Sequence, residues 1–165
     1  MAGLSITINA DFKPVADFLR RLETEPQDLT SPMDEIGQYL VQANQRRMYQ
    51  GVGPDGQAWE PSVRAKNEGG KTLIDSGGLR DSLTQIPGPD SVEVGTNKVY
   101  AAIHQFGGTI TAKNAPYLMF IVGGQFVKTK SVTIPARPFV GIADEDHNEI
   151  LNILQDFIID LGVAN

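Results

Sequence analysis

Cysteine is absent from the 165-residue sequence. That excludes a disulfide scaffold, a thiol nucleophile and any thiolate-bound metal. Histidine occurs only as His104 and His147, far apart in the chain, so no histidine-rich metal centre is in prospect. Long apolar runs are also missing. The longest, Leu118 to Val122, falls far short of the roughly 20 residues of a membrane-spanning helix. Met1 to Ala10 lacks the basic start and apolar core of a signal peptide, so the sequence reads as a protein made and kept in a cytoplasm. Basic residues are outnumbered, 14 against 20 acidic, for a formal net charge of -6. General nucleic-acid binding needs the opposite balance, because lysine and arginine must replace phosphate counterions.

What is present is ordinary for one globular domain: 41% hydrophobic and 21% charged residues. A chain of this size buries about 70% of its unfolded surface and needs no metal or disulfide to hold a core. The charge is uneven. Arg46, Arg47, Arg64, Lys66 and Lys71 cluster in the middle; Glu23, Glu25, Asp28, Asp34 and Glu35 precede them; Asp144, Glu145, Asp146 and Glu149 follow. Each cluster reads most simply as a solvated face, and the basic one is the set that would meet DNA if the protein lined a DNA channel.

Periodicity predicts an α+β fold: N-terminal helices, a small antiparallel sheet with a long β-hairpin, and a C-terminal helix packed on the sheet, all in a single domain spanning residues 1–165. Leu4, Ile6 and Ile8 alternate as in a short strand. A helix from about Pro14 to Leu22 would share Val15, Phe18, Leu19 and Leu22 on one face. Ser31-Pro32 opens a second helix that runs to about Tyr49 and stops at Gly51, with Arg46 and Arg47 suited to the negative end of its dipole. Residues 51–71 show no period and many glycines and prolines, which predicts a long flexible loop of the kind that is usually functional. It holds the only tryptophan, Trp59, which either tucks into the chain's own core or anchors a partner. Ser76 is expected to cap a short helix, with Leu79 and Leu83 facing inward, that Pro87 stops. Val92 to Gly95 reads as a strand and Tyr100 to Phe106 as a short helix before Gly107-Gly108. Tyr117–Val122 and Gln125–Ile134 form a hairpin through Gly123-Gly124, its second arm exposing Lys128 and Lys130. Asp144 caps the last helix, whose apolar face is wider than one contact requires.

Catalytic motifs do not emerge. His104 has no nearby acid, and His147 sits in an acidic helix start. A Ser76, His104 and Asp75 set is conceivable only if the fold assembles it, since no Gly-x-Ser-x-Gly elbow is present. Gly69-Gly70-Lys71-Thr72 ends like a phosphate loop, but Ala65 stands where its first glycine belongs. Asp55-Gly56 lacks a calcium ladder, and Asp144 and Asp146 read as helix-start acids rather than a sugar-cleaving pair. The candidate partner-binding residues are Trp59, Pro61 and Arg64 in the loop, with Phe126, Lys128 and Lys130 on the hairpin.

A series of spaced words remains. It comprises Gly53-Pro54-Asp55-Gly56 with Trp59 and Pro61; Lys71-Thr72-Leu73 with Asp75-Ser76-Gly77-Gly78-Leu79; Tyr100-Ala101 with Ile103-His104-Gln105-Phe106-Gly107-Gly108; and Ile134-Pro135-Ala136-Arg137-Pro138-Phe139. In this order they resemble the phage virion morphogenesis family, the tail-completion proteins of Mu-like phages and prophages. Gly77-Gly78 departs from the single glycine more usual there. The resemblance implies an α+β fold, no catalysis and no cofactor. It implies a place at the head–tail junction or tail end of a virion, with phage tail or connector proteins as partners, and a homo-oligomer, a ring. Assembly would take place in the host bacterial cytoplasm, without a membrane. Physically, Gly107-Gly108 permits unusual backbone angles, Pro135 and Pro138 stiffen the exit from the hairpin, and Arg137 pairs with a carboxylate or with carbonyls. The His104-Gln105-Phe106 word fixes a turn through side-chain hydrogen bonds and one buried ring. Tyr100, His104, Gln105, Phe106, Gly107, Gly108, Pro135, Arg137, Pro138 and Phe139 are thus expected to be structural.

Overall fold

A computed structural model of the chain describes residues 28–163. The strand expected at Leu4 to Ile8 and the helix at Pro14 to Leu22 lie outside them. The long helix α1, Thr30–Gln50, buries Ile36, Leu40, Ala43 and Met48 on one side, the stripe that 3.6-residue spacing requires. It begins one residue before Ser31, beside Asp28, whose carboxylate accepts the Thr30 N–H at 2.9 Å and the Thr30 hydroxyl at 2.5 Å. Gly51 ends it in the left-handed conformation, its N–H turned back to the Arg47 and Met48 carbonyls.

Residues 51–71 contain defined structure where the sequence suggests none. Val52 bridges to Ala58, and the Trp59 N–H returns to the Gly51 carbonyl at 2.9 Å. A six-residue helix follows, α2 (Val63–Glu68), capped by the Ser62 side chain on the Ala65 N–H. Six residues are too few for a legible period, so the cap was the only local sign of it. The helix expected after Ser76 is instead a single 3-10 turn, Arg80–Ser82, that leads into strand β1, Thr84–Pro87. Leu79 and Leu83 are nonetheless buried.

β1 pairs antiparallel with β2, Val92–Gly95. Helix α3 (Ala101–Phe106) precedes β3 (Gly108–Thr111), β4 (Leu118–Val122), β5 (Gln125–Thr129) and β6 (Ser131–Ile134). β4 and β5 form the expected hairpin, with Ile121 opposite Phe126 and positive φ at both Gly123 and Gly124, as a tight two-residue turn demands. The hairpin is shorter than the sequence suggests. Its second arm divides at Lys130, because Ser131 to Ile134 pair with β3 instead. The expected small sheet is therefore three two-stranded ones, and β4–β5 is an arm inserted between two strands that pair with each other. Helix α4, Asp144–Val163, completes the described chain.

Two apolar clusters hold these α+β elements together. Met48, Leu79, Leu83 and Phe139 form one, with Trp59 and Leu73 against it. Ile36, Leu40 and Ile153 form the other, so α4 packs on α1 with Val92 and Val94 of the β1–β2 sheet alongside. Each large buried side chain contributes about 1.5–3 kcal/mol. The far side of α4 is open: Leu151 and Ile159 are more than half exposed.

Candidate functional site

The His104 and Arg137 words meet in space. α3 places Gln105 beside the segment after Pro138, where its amide oxygen accepts the Phe139 and Val140 N–H groups and its NH2 donates to the Val140 carbonyl. The Arg137 N–H donates to the His104 carbonyl at 2.7 Å. Gly107 lets the two segments cross: its φ is +69°, and a Cβ there would stand 2.6 Å from the Ala136 nitrogen. The buried ring is Phe139, not Phe106; Phe106 is 78% exposed, because the helix turns it outward while Gln105 faces the main chain.

Arg137 is buried and donates through Nε to the Glu60 carbonyl at 3.0 Å. Burial pulls its guanidinium below the ordinary arginine value, opposed by the charge of Glu60. His104 is pushed down by burial first and by Arg137 second. Its Nδ1 is buried with no hydrogen-bond partner in the protein, and its ring meets Tyr100 edge-on.

These residues border a groove of about 590 Å³. Its lining includes Phe120, Val122, Val132 and Ile134 from the strands and Val63, Leu73 and Leu79 from the segments before them. Leu73 holds a φ of +63°, a conformation that costs a bulky residue on the order of 1 kcal/mol and marks this edge as strained. Asp75 and Ser76 also line the groove. With His104 they are the three groups of a Ser-His-Asp set, but no hydrogen bond joins them. Asp75 is largely exposed and lies 3.6 Å from Arg64, and no relay of the triad kind is formed. Among the described residues, no three His, Asp or Glu side chains converge as metal ligands.

The other residues singled out in the sequence lie apart. Trp59 is half-buried and packs against the first core cluster. Pro61 is exposed, and Arg64 fastens α2 to the carbonyls of Lys71 and Ile74. On the hairpin, Met119, Ile121 and Phe126 form an exposed apolar face, 63%, 74% and 66% accessible. Lys128 lies over the Tyr117 ring on the same arm, and Lys130 is exposed at its base.

The basic cluster does not form one surface. Lys66 pairs with Glu60, Lys71 stands over the Tyr49 ring, and Arg47 is buried. Arg47 stands in the last turn of α1, where a basic residue suits the dipole, but the sequence did not show that it is buried. Its guanidinium meets the fully buried Asp146 at 2.9 Å and donates to Asn44 Oδ1 and the Gly141 carbonyl. Asp146 also accepts from the Tyr39 hydroxyl and the Ala143 N–H. Burial works against its ionisation, but these donors outweigh burial and hold its carboxyl below the ordinary range. The same burial and hydrogen bond raise Tyr39. No period announces such a network; Arg47 and Asp146 are 99 residues apart.

The described chain is thus an α+β protein whose β4–β5 hairpin exposes an apolar face. Residues 10–158 match the phage virion morphogenesis family, and the chain belongs to it. The Mu-like prophage FluMu G protein 2 of Haemophilus influenzae is 34% identical over 100 residues, 61% of this chain and 59% of that relative, so the match spans about three-fifths of its length. Protein G of Escherichia phage Mu, whose name assigns it to capsid assembly, is 27% identical over 161 residues, covering 93% of this chain and 94% of that one. No solved structure matches. Among the described residues no helix is long and apolar enough to cross a membrane.

Proposed function

We propose that this chain is a non-enzymatic virion part that completes the tail or joins head to tail by docking on tail or connector proteins, as a homo-oligomer arranged in a ring. The carrying observation is the hairpin. Met119, Ile121 and Phe126 present a contiguous apolar face on the outer side of the β4–β5 arm, whose inner side chains face the groove and whose turn at Gly123 lies against Asn67 of α2. Exposed apolar surface of this kind marks contact sites, and membership in a virion morphogenesis family supports a virion partner. Phe126, Lys128 and Lys130 belong to that contact, and Pro61 to a neighbouring one. The unjoined Asp75, Ser76 and His104 support the absence of catalysis. Assembly takes place in the host cytoplasm and the protein ends in the tail or neck.

The test is complementation of a phage lacking this gene with an Ile121→Asp/Phe126→Asp chain. Separate heads and tails in electron micrographs, with the purified variant folded as the parent, are the expected result. Full titre would contradict the reading. His104→Asn serves as the control for catalysis: under this proposal no enzymatic activity disappears with it.

A further inference from the structure

The groove contains one charge that no ion pair among the described residues meets, Glu60 acting on it only at longer range. Arg137 is 93% buried by its 7% relative exposure. Its Nε is used by the Glu60 carbonyl. Among the described residues no carboxylate lies within 4.0 Å of it, and its two terminal nitrogens make no hydrogen bond. They are not sealed in, since the buried atoms without partners are Arg47 Nε, Trp59 Nε1, Gln85 Oε1 and His104 Nδ1. The Glu60 carboxylate, the nearest candidate, is turned to Lys66 at 3.1 Å. A guanidinium in this state is an open bidentate receptor for a carboxylate. An unpaired buried charge is costly, and a partner's carboxylate would offset that cost.

The walls specify what accompanies the carboxylate. Leu73, Leu79, Phe120, Val132 and Ile134 line the same groove. Arg64 adds a second cation at one end, where Asp75 already lies beside it. We propose that this groove is a docking slot for a segment of a partner protein that carries an acidic side chain next to a large apolar one. The carboxylate sits on Arg137, and the apolar side chain sits between Phe120 and Leu79. The slot deepens the assembly reading above and rests on it. It differs from the hairpin face: the hairpin's inner side chains, Phe120 and Val122, wall the groove, while Met119 and Ile121 point away from it.

The probe is a short acetylated and amidated peptide with glutamate between leucine and phenylalanine, compared with its glutamine counterpart by calorimetry on the full chain. The glutamate peptide should bind, and the glutamine peptide should bind at least about tenfold more weakly. Arg137→Gln should remove that difference. Because Arg137→Gln also releases the Glu60 carbonyl and can disturb the fold, Val63→Glu is the second variant. Val63 is 53% exposed at the first position of α2, where an acid suits the helix, and a carboxylate there would occupy the slot from within and block the peptide. Equal binding of both peptides, or no binding to the parent chain, overturns the proposal. Self-association of the chain that both the peptide and Val63→Glu abolish overturns the choice of a foreign partner in favour of a second copy. Mass spectrometry of the same samples separates the two readings: a cleaved peptide sinks the non-enzymatic function, and an unbound, uncut peptide sinks the slot alone.

Discussion

Gln105 grips both main-chain groups of Val140: its NH2 donates to the Val140 carbonyl at 2.9 Å and its oxygen accepts the Val140 N–H at 3.1 Å. The side chain thus acts as a one-residue strand. It binds α3 to the segment that delivers Phe139 to the core. Gln105→Ala leaves these groups and the Phe139 N–H without partners. It should cost about 2–4 kcal/mol in urea unfolding, since each buried group left unsatisfied costs about 1–3. A loss below about 0.5 kcal/mol would mean that water replaces the clasp.

Arg47 and Asp146 fasten the end of α1 to the start of α4. Removing either partner strands a buried charge, so Arg47→Met and Asp146→Leu should each cost about 3–5 kcal/mol. The double variant should cost less than the sum, with a coupling of about 2 kcal/mol in a double-mutant cycle. Strict additivity would show that the two residues act independently.

Stability should fall towards acid in two steps. Asp146 titrates below the ordinary aspartate value in the folded chain, so the unfolded chain takes up this proton first. The contribution of Asp146 is complete above about pH 3.9 and lost as pH falls through the folded value. His104 is also depressed; the unfolded imidazole binds its proton first below about pH 6.5, so stability declines from there until the folded value is reached. Melting temperature against pH checks both. Asp146→Asn should flatten the lower limb and His104→Asn the upper. A melting temperature that rises as pH drops from 7 to 5 would contradict the His104 assignment.

Trp59 packs against the cluster of Met48, Leu79, Leu83 and Phe139, so Trp59→Ala should destabilise the free protein by about 2–4 kcal/mol. Trp59→Phe should restore most of the loss. A variant of unchanged stability that fails only in assembly would return Trp59 to the role of partner anchor.

Legibility in the sequence followed range. The Gly51 stop, the Gly123-Gly124 turn, the β2 strand and α3 rest on neighbours within a few residues and could be read. So could most of the α1 stripe, because periodicity reports which face is apolar. The pairing of β3 with β6 around the hairpin could not, since Gly108 to Thr111 offers only four residues and its partner is distant. Arg47 looked like a dipole charge and Asp146 like a helix-start acid, because either role satisfies local chemistry. The Ser62 cap was readable in principle, but α2 is too short to carry a stripe. The spaced words pointed to the family without saying why they are spaced. The hydrogen bonds of Gln105 to Phe139 and Val140, and of Arg137 to His104, join two of them and supply the reason.

The most direct measurement is hydrogen exchange on the purified chain, alone and mixed with tails that lack it. An account in which the molecule works by surface contact predicts new protection across Leu118–Thr129, the β4–β5 arm, when tails are completed. Completed tails with exchange in that arm unchanged would contradict it.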